Sequence, residues 1–277
     1  MDSRLKIAGV QMEPRILDKP GNLTRCLELV QHSAAAGARL IVFPECALTG
    51  NCYSSLEEAI TVAEPIPGPA TEKLAAACRE LDVYAVIGLI ESDGDRYYNA
   101  AALLGPAGLL GKHRKLHLPY LGVDRFLSWG DTPPAVHDTE LGRIGIGICY
   151  DLMFAEHSRI LSLQGADLLV FPANWPELGR VYPDYIVPTR AVENHVFCLA
   201  VNRVGDERGT RFCGGSVIAN WLGRTLARAK DDEEDVIYAE IEPEQARRKH
   251  MVIEPGQHEV DFMGDRRPDL YGPICRE

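Results

Sequence analysis

Three short strings carry the side chains best suited to covalent chemistry. In Gly145-Ile-Gly-Ile-Cys149-Tyr-Asp-Leu-Met-Phe-Ala-Glu156 an apolar run meets a sharp turn ahead of a helical pattern, with Cys149 at the junction. A thiol there faces the strand ends, and helix N-terminal amides beside it favour the thiolate and offer the Tyr150 N–H as an oxyanion donor. The same position suits an inert buried thiol, since cysteine is among the most buried residue types. In Ile41-Val-Phe-Pro44-Glu45 a carboxylate directly follows a buried strand, where desolvation raises its pKa toward that of a general base. A rim residue or helix cap is the plainer role for Glu45. In His113-Arg-Lys115-Leu-His117-Leu-Pro119, strand alternation puts His113, Lys115 and His117 on one face, either a functional face or a solvated edge.

Several cysteine and metal chemistries can be tested on the strings themselves. A phosphatase needs arginine six positions after its cysteine, and that position is Ala155. The hydrolase nucleophile elbow needs a second glycine, whereas Gly147-Ile-Cys149-Tyr-Asp151 ends in aspartate. A Cys/His pair stays open, with His157 or His195 as base. A zinc site on His113 and His117 lacks an apparent third ligand, and Lys115 brings a positive charge between them.

Alternating strand and helix signals must position these groups. Leu5 to Gln11 reads as a strand, Leu23, Cys26, Leu27, Val30 and Ala34 share a helical face with Asn22 as N-cap, and Arg39 to Phe43 is again a strand. Thr71 to Leu81 reads as a helix and Tyr84 to Leu89 as a strand, with hairpin pieces up to the end of the first half near Asp131. From Arg143 the plan restarts with strand Ile144 to Ile148, helix Ala155 to Gln164, strand Leu168 to Phe171 and a helix through Arg190 to Asn194. Hairpin-rich sequence follows at Gly214 to Ile218, Asn220 to Gly223 and Val236 to Ile241. Leu40-Ile-Val-Phe-Pro44 and Leu168-Leu-Val-Phe-Pro172 echo each other, and each runs on to a polar side chain, Glu45 and Asn174. Two sheets flanked by helices, in related halves, bring both strand ends to one crevice. The expectation is one domain over residues 1–277, with an aperiodic C-terminal arm from about residue 255 and a solvated acidic turn at Asp231 to Asp235.

Composition narrows the partners. The 277 residues hold 29 basic and 40 acidic side chains, a net charge of −11 with the basic residues scattered, so nucleic acid and anionic membrane are poor partners. No apolar run approaches the roughly 20 residues that span a bilayer. Eight cysteines without a CxxC pair read as free thiols, and with no secretory leader evident the expected location is the cytoplasm.

Taken together, the Glu45, Lys115 and Cys149 strings resemble, in order and spacing, the Glu, Lys and Cys motifs of the nitrilase superfamily of carbon–nitrogen hydrolases. The resemblance covers nearly the whole chain. It includes Ala8-Gly-Val-Gln11, Gly165-Ala-Asp167, Pro172-Ala-Asn174-Trp175, Arg190-Ala-Val-Glu-Asn194, Asn202-Arg-Val-Gly205 and Gly215-Ser-Val-Ile218. It implies a four-layer αββα sandwich of two pseudo-symmetric halves, commonly a homodimer, acting on a small-molecule amide without metal or organic cofactor. Cys149 is then the nucleophile, Lys115 with the Tyr150 N–H the oxyanion holder, and Glu45 the proton carrier. The family often adds a second glutamate after the lysine; the nearest acid here is Asp124, given a positioning role. Asn174 and Trp175 are candidates for holding substrate. Tyr150-Asp151 after the nucleophile matches amidases and carbamoylases, whereas nitrilases tend to carry Trp-Glu. Leu152 and Met153 stand where relatives with carboxylated substrates place arginine, which favours uncharged amides. N-carbamoyl amide or nitrile hydrolysis, acyl transfer and amide binding without turnover are the alternatives.

Overall fold

Near-continuous apolar runs form the central strands, as expected of strands covered on both faces. The computed structural model describes residues 4–275. Its first half comprises β1 (Leu5–Gln11), α1 (Lys19–Ala35), β2 (Leu40–Val42), α2 (Leu56–Ala59), α3 (Pro69–Leu81), β3 (Tyr84–Asp93), β4 (Arg96–Gly105) and β5 (Gly108–Arg114). The second comprises β6 (Val136–Thr139), β7 (Gly142–Ile146), α4 (Ala155–Leu163), β8 (Leu168–Ala173), α5 (Tyr182–Asn194), β9 (Phe197–Asn202), the ribbon β10 (Asp206–Glu207) and β11 (Thr210–Arg211), β12 (Val217–Ala219) and β13 (Thr225–Arg228). After them come β14 (Asp235–Ile241), α6 (Pro243–Ala246), β15 (His250–Glu254) and β16 (His258–Asp261).

The sheets run β14-β1-β2-β3-β4-β5 and β13-β12-β9-β8-β7-β6. In each, three parallel strands, β1-β2-β3 or β7-β8-β9, are flanked by one antiparallel strand on one side and two on the other. The echoing strands β2 and β8 are the middle members of the two trios, so the halves are related by topology as well as by sequence.

Side-chain alternation divides the core into three apolar layers. Ile7, Leu40, Val42, Ile144, Leu168 and Val170 meet between the sheets. Ala8, Val10 and Ile41 point the other way, onto Cys26 and Val30 of α1 and Leu74 and Cys78 of α3. Leu169 and Phe171 point onto Leu161 of α4 and Val187 and Ala191 of α5. The result is the four-layer αββα sandwich.

Two local expectations are corrected. Asp18, not Asn22, caps α1: its carboxylate accepts the Gly21 N–H at 3.0 Å, and Pro20 fits the first turn, where its missing N–H costs nothing. Asn22 lies inside the helix and binds the Arg15 carbonyl at 2.7 Å and the Leu48 carbonyl at 3.1 Å. The junction after Cys149 is as expected, a sharp turn ahead of a helix: Cys149–Met153 is a 3₁₀ turn and α4 starts at Ala155. The tail is not aperiodic, since β15 and β16 pair across residue 255 as a hairpin. The acidic turn is tied as well as solvated, for Asp231 pairs with Arg180 at 2.8 Å and Asp232 with Arg211 at 2.9 Å.

Candidate active site

Glu45 follows β2 by three residues, in a turn whose next residue, Cys46, has a left-handed backbone at φ 50°. The turn lies flat on β3 at Gly88. A Cβ there would stand 2.6 Å from both the Cys46 nitrogen and the Pro44 oxygen, so a side chain at 88 would push the Glu45 turn off the sheet.

Lys115 comes from the next strand pair. Its N–H continues the β4–β5 ladder by donating to the Asn99 carbonyl at 2.8 Å. Arg114 just before it turns to the opposite side, where its guanidinium grips Glu91 at 2.7 and 2.8 Å and stacks on the Tyr98 ring. That anchor fixes the end of β5 and with it the start of the Lys115 side chain.

The Lys115 Nζ donates to Glu45 at 2.6 Å and to Asp124 at 2.5 Å, all three side chains being buried. Asp124 arrives from a 3₁₀ turn at Gly122–Arg125 whose Val123 packs on Cys46 and Tyr53. Asn99 completes the cluster, its amide donating to Glu45 at 2.6 Å and to Asp124 at 2.7 Å. Burial opposes the Lys115 charge, but Asp124 and Glu45 outweigh it and hold the ammonium pKa above its ordinary value. Burial pushes Asp124 up against the pull of Lys115, and Glu45 adds to the rise.

Cys149 begins its 3₁₀ turn with φ 45°, a left-handed conformation costly for a residue with a Cβ. The turn is held by Asp151, which is fully buried. Its carboxylate accepts the Ile148 N–H at 3.0 Å and, from the Lys115 string, the backbone N–H groups of Leu116 at 3.2 Å and His117 at 3.1 Å. It also meets His113 Nε2 at 2.9 Å and His117 Nδ1 at 2.7 Å. One side chain therefore ties the Lys115 string to the Cys149 turn. Burial would raise the Asp151 pKa, but the histidine hydrogen bonds prevail and hold it well below the usual carboxylate range.

Cys149 and Lys115 are near enough for each to shift the other's titration. Burial pushes the thiol up and Glu45 pushes the same way, opposed by Lys115 and by the Asn174 backbone amide bonded to the sulfur. The surroundings therefore favour the thiol, where the sequence pointed to a thiolate. The reason is local: α4 begins six residues later, and the sulfur sits in a desolvated niche facing a carboxylate.

Of the remaining candidates, Asn174 is buried beside Cys149 with neither amide atom hydrogen-bonded. Trp175 is buried in the outer layer with its ring edge-on to Tyr182 at 5.6 Å. Tyr150 is 38% exposed and packs on Phe154, while Leu152 is core, turned into the layer under α4 and α5. His195, the alternative base, lies between Trp221 and Phe262, apart from the cluster. Sequence reading missed Asn99 and the clamp role of Asp151. Asn99 had a legible signal, a lone amide ahead of Ala100-Ala-Ala-Leu-Leu104; Asp151 was read only as a substrate-class marker.

No helix among the described residues is long and apolar enough to cross a membrane. The sequence family described as carbon–nitrogen hydrolase matches residues 6–250. A nitrilase of Pyrococcus abyssi is 38% identical over 96% of this chain and 99% of its own length. The human omega-amidase NIT2 is 31% identical over 96% of each chain. Among solved structures, the amidase of Nesterenkonia sp. AN1 superposes with TM-score 0.82 at 22% identity over 99% of this chain and 98% of its own, which shows the shared fold. Saccharomyces cerevisiae Nit3 gives TM-score 0.78 at 26% identity over 88% of this chain and 92% of its own. A chain that matches this family over most of its length, on this sandwich, belongs to the carbon–nitrogen hydrolases of the nitrilase superfamily.

Proposed function

We propose that the enzyme hydrolyses the C–N bond of a small, uncharged amide through a thioester on Cys149. The observation that carries this reading is the buried Glu45–Lys115–Asp124 cluster beside the Cys149 thiol, whose pKa burial and Glu45 push up. As the Cys149 sulfur attacks the amide carbon, its proton passes to Glu45, which a resting thiol requires. The oxyanion is held by the Lys115 ammonium and the Tyr150 N–H. Collapse breaks the C–N bond, Glu45 protonates the leaving nitrogen, and ammonia departs. Glu45 then takes a proton from water, the hydroxide cleaves the thioester, and the carboxylic acid leaves as the thiol is restored. Asp124 and Asn99 keep Lys115 and Glu45 in place through both half-reactions.

An uncharged acyl group is favoured because the arginines near the cleft are engaged. Arg203 pairs with Glu207 at 2.7 Å, Arg125 donates to the Tyr53 carbonyl at 2.8 Å, and Arg190 donates to the Leu152 carbonyl at 2.8 Å. The name of the human relative speaks for an amide and that of the Pyrococcus abyssi relative for a nitrile, and Tyr150-Asp151 favours the amide. Ammonia release from butyramide, succinamate and butyronitrile, with intact-protein mass to catch an acyl adduct, tests the reading. Turnover of butyramide with an adduct on Cys149 is expected; preference for succinamate or for the nitrile overturns the substrate class, and turnover by Cys149→Ala overturns the mechanism.

We also propose a homodimer or a larger even-numbered homo-oligomer, a single domain with residues from about 255 as its arm, and a cytoplasmic setting. Ile160 and Leu163 of α4 and Tyr185 and Val192 of α5 expose apolar surface on one outer layer, which suits burial against a second copy. The arm folds back on that side, with Phe262 against His195 and Met263 against Arg159. All eight cysteines are free thiols, as a reducing compartment keeps them. Sedimentation giving a monomer at micromolar concentration would reject the oligomer.

A further inference from the structure

Behind the Cys149 turn, in the first turn of α4, His157 is 2% exposed and neither of its ring nitrogens has a hydrogen-bond partner. A buried polar group left unpaired costs about 1–3 kcal/mol, so such an imidazole calls for a partner. Two groups able to share a ligand with it are at hand. A ring nitrogen of His157, one of His113 and a carboxylate oxygen of Asp151 all lie within 4.8 Å of one another, and the two imidazole centroids are 5.2 Å apart.

We propose that His113, Asp151 and His157 form a binding site for one divalent transition-metal ion of the zinc or cobalt type, beneath the Cys149 turn and outside the Glu45–Lys115–Asp124 cluster. Two imidazole nitrogens and one carboxylate oxygen suit Zn²⁺, whereas Mg²⁺ and Ca²⁺ prefer all-oxygen shells. Bonds of about 2.0–2.1 Å to a tetrahedral ion set its ligand atoms roughly 3.3 Å apart. His113 Nε2 and the Asp151 Oδ2 already stand 2.9 Å apart, and His157 can close the remaining gap by turning a ring that no hydrogen bond holds.

The outer contacts fit as well. The other Asp151 oxygen is steered by the backbone N–H groups of Leu116 and His117, the kind of support that orients a ligating carboxylate. His117, stacked on Phe154 with 29% of its side chain exposed, is the partly exposed neighbour of the cluster, its ring centroid 6.5 Å from that of His157. A water takes the fourth position. Both objections raised by the sequence are removed: Asp151 and His157 add the missing ligands, and the Lys115 charge is neutralised by Glu45 and Asp124.

The test uses the full chain. Zinc-edge X-ray absorption on the unsubstituted protein, loaded with one equivalent of Zn²⁺, is expected to show only nitrogen and oxygen neighbours near about 2.0–2.1 Å, without sulfur near about 2.3 Å. Co²⁺ titration of Cys149→Ala should give one site with ligand-field bands and no thiolate charge-transfer band. Adding His157→Leu should weaken that site at least about tenfold. Failure to retain an ion at ~100 μM free metal, a sulfur shell, or unchanged affinity in a folded His157→Leu protein each overturns the proposal. If His157→Leu does not fold, the absorption spectrum of the unsubstituted chain decides.

Discussion

At the strand ends of the first sheet, Glu45, Asp124, Lys115 and Asn99 pair with one another in a closed set of short hydrogen bonds. Beside the corresponding end of the second sheet, the amide of Asn174 and the ring of His157 are buried with no hydrogen-bond partner among the described residues. The two halves share a topology and divide the polar work. Fixed charges in a desolvated niche are tolerable only when each meets its complement, so the cluster of the first half is satisfied internally. The second half supplies the sulfur and keeps hydrogen-bonding capacity unspent beside it, which is where a polar ligand gains most.

The largest expected effects break the link between the halves. Cys149→Ala should abolish turnover with the fold intact, and Glu45→Gln should be nearly as severe because an amide cannot carry the proton; ammonia release and circular dichroism check both. Lys115→Ala should lower kcat by about 10²- to 10³-fold, the loss typical of one oxyanion donor, with a smaller change in KM. It also leaves two carboxylates facing each other, so a fall in melting temperature should accompany it.

Smaller effects sharpen the comparison. Asp151→Asn puts an amide where five donors converge, and should cost about 1–3 kcal/mol of stability in urea unfolding. If Asp151 is the clamp between the halves, kcat should fall more than KM rises, whereas a purely structural role would leave kcat per folded molecule unchanged. Asn99→Leu removes the donor shared by Glu45 and Asp124 and should lower kcat by about ten- to a hundredfold, the worth of one to two hydrogen bonds.

A further effect lies in the second half, away from the cleft. Burial, helped by Lys249, holds the His195 pKa down from the ordinary 6.5 to about 4. Between these values the unfolded chain binds a proton that the folded chain refuses, so stability falls as pH drops from about 6.5 toward 4. The loss should be about 1–3 kcal/mol, and His195→Asn, which tolerates the left-handed backbone there, should reduce that slope in urea unfolding at pH 7 and pH 5, the remainder coming from His157, which burial likewise holds down to about 4.

Much of this molecule was determined by local sequence. The period-two and period-3.6 apolar patterns decide which segments are strands and which are helices, and the echo of Leu40–Pro44 in Leu168–Pro172 announces two related halves. Glu45 and Cys149 stand out because a polar side chain at the end of a buried run is costly unless it is used, and Lys115 is singled out by the motif resemblance. Asp124 follows from its nearness to Lys115 along the chain. Tertiary structure alone decided the rest. Asn99 is 54 residues from Glu45 and 25 from Asp124, and Asp151 is 38 from His113. No spacing rule links such positions, because their meeting depends on the order of strands in a sheet and on how a turn lies against it. The state of the thiol was equally illegible: it is set by the desolvation of Sγ and by the Glu45 charge across the cleft, quantities that exist only once both sheets have closed on each other.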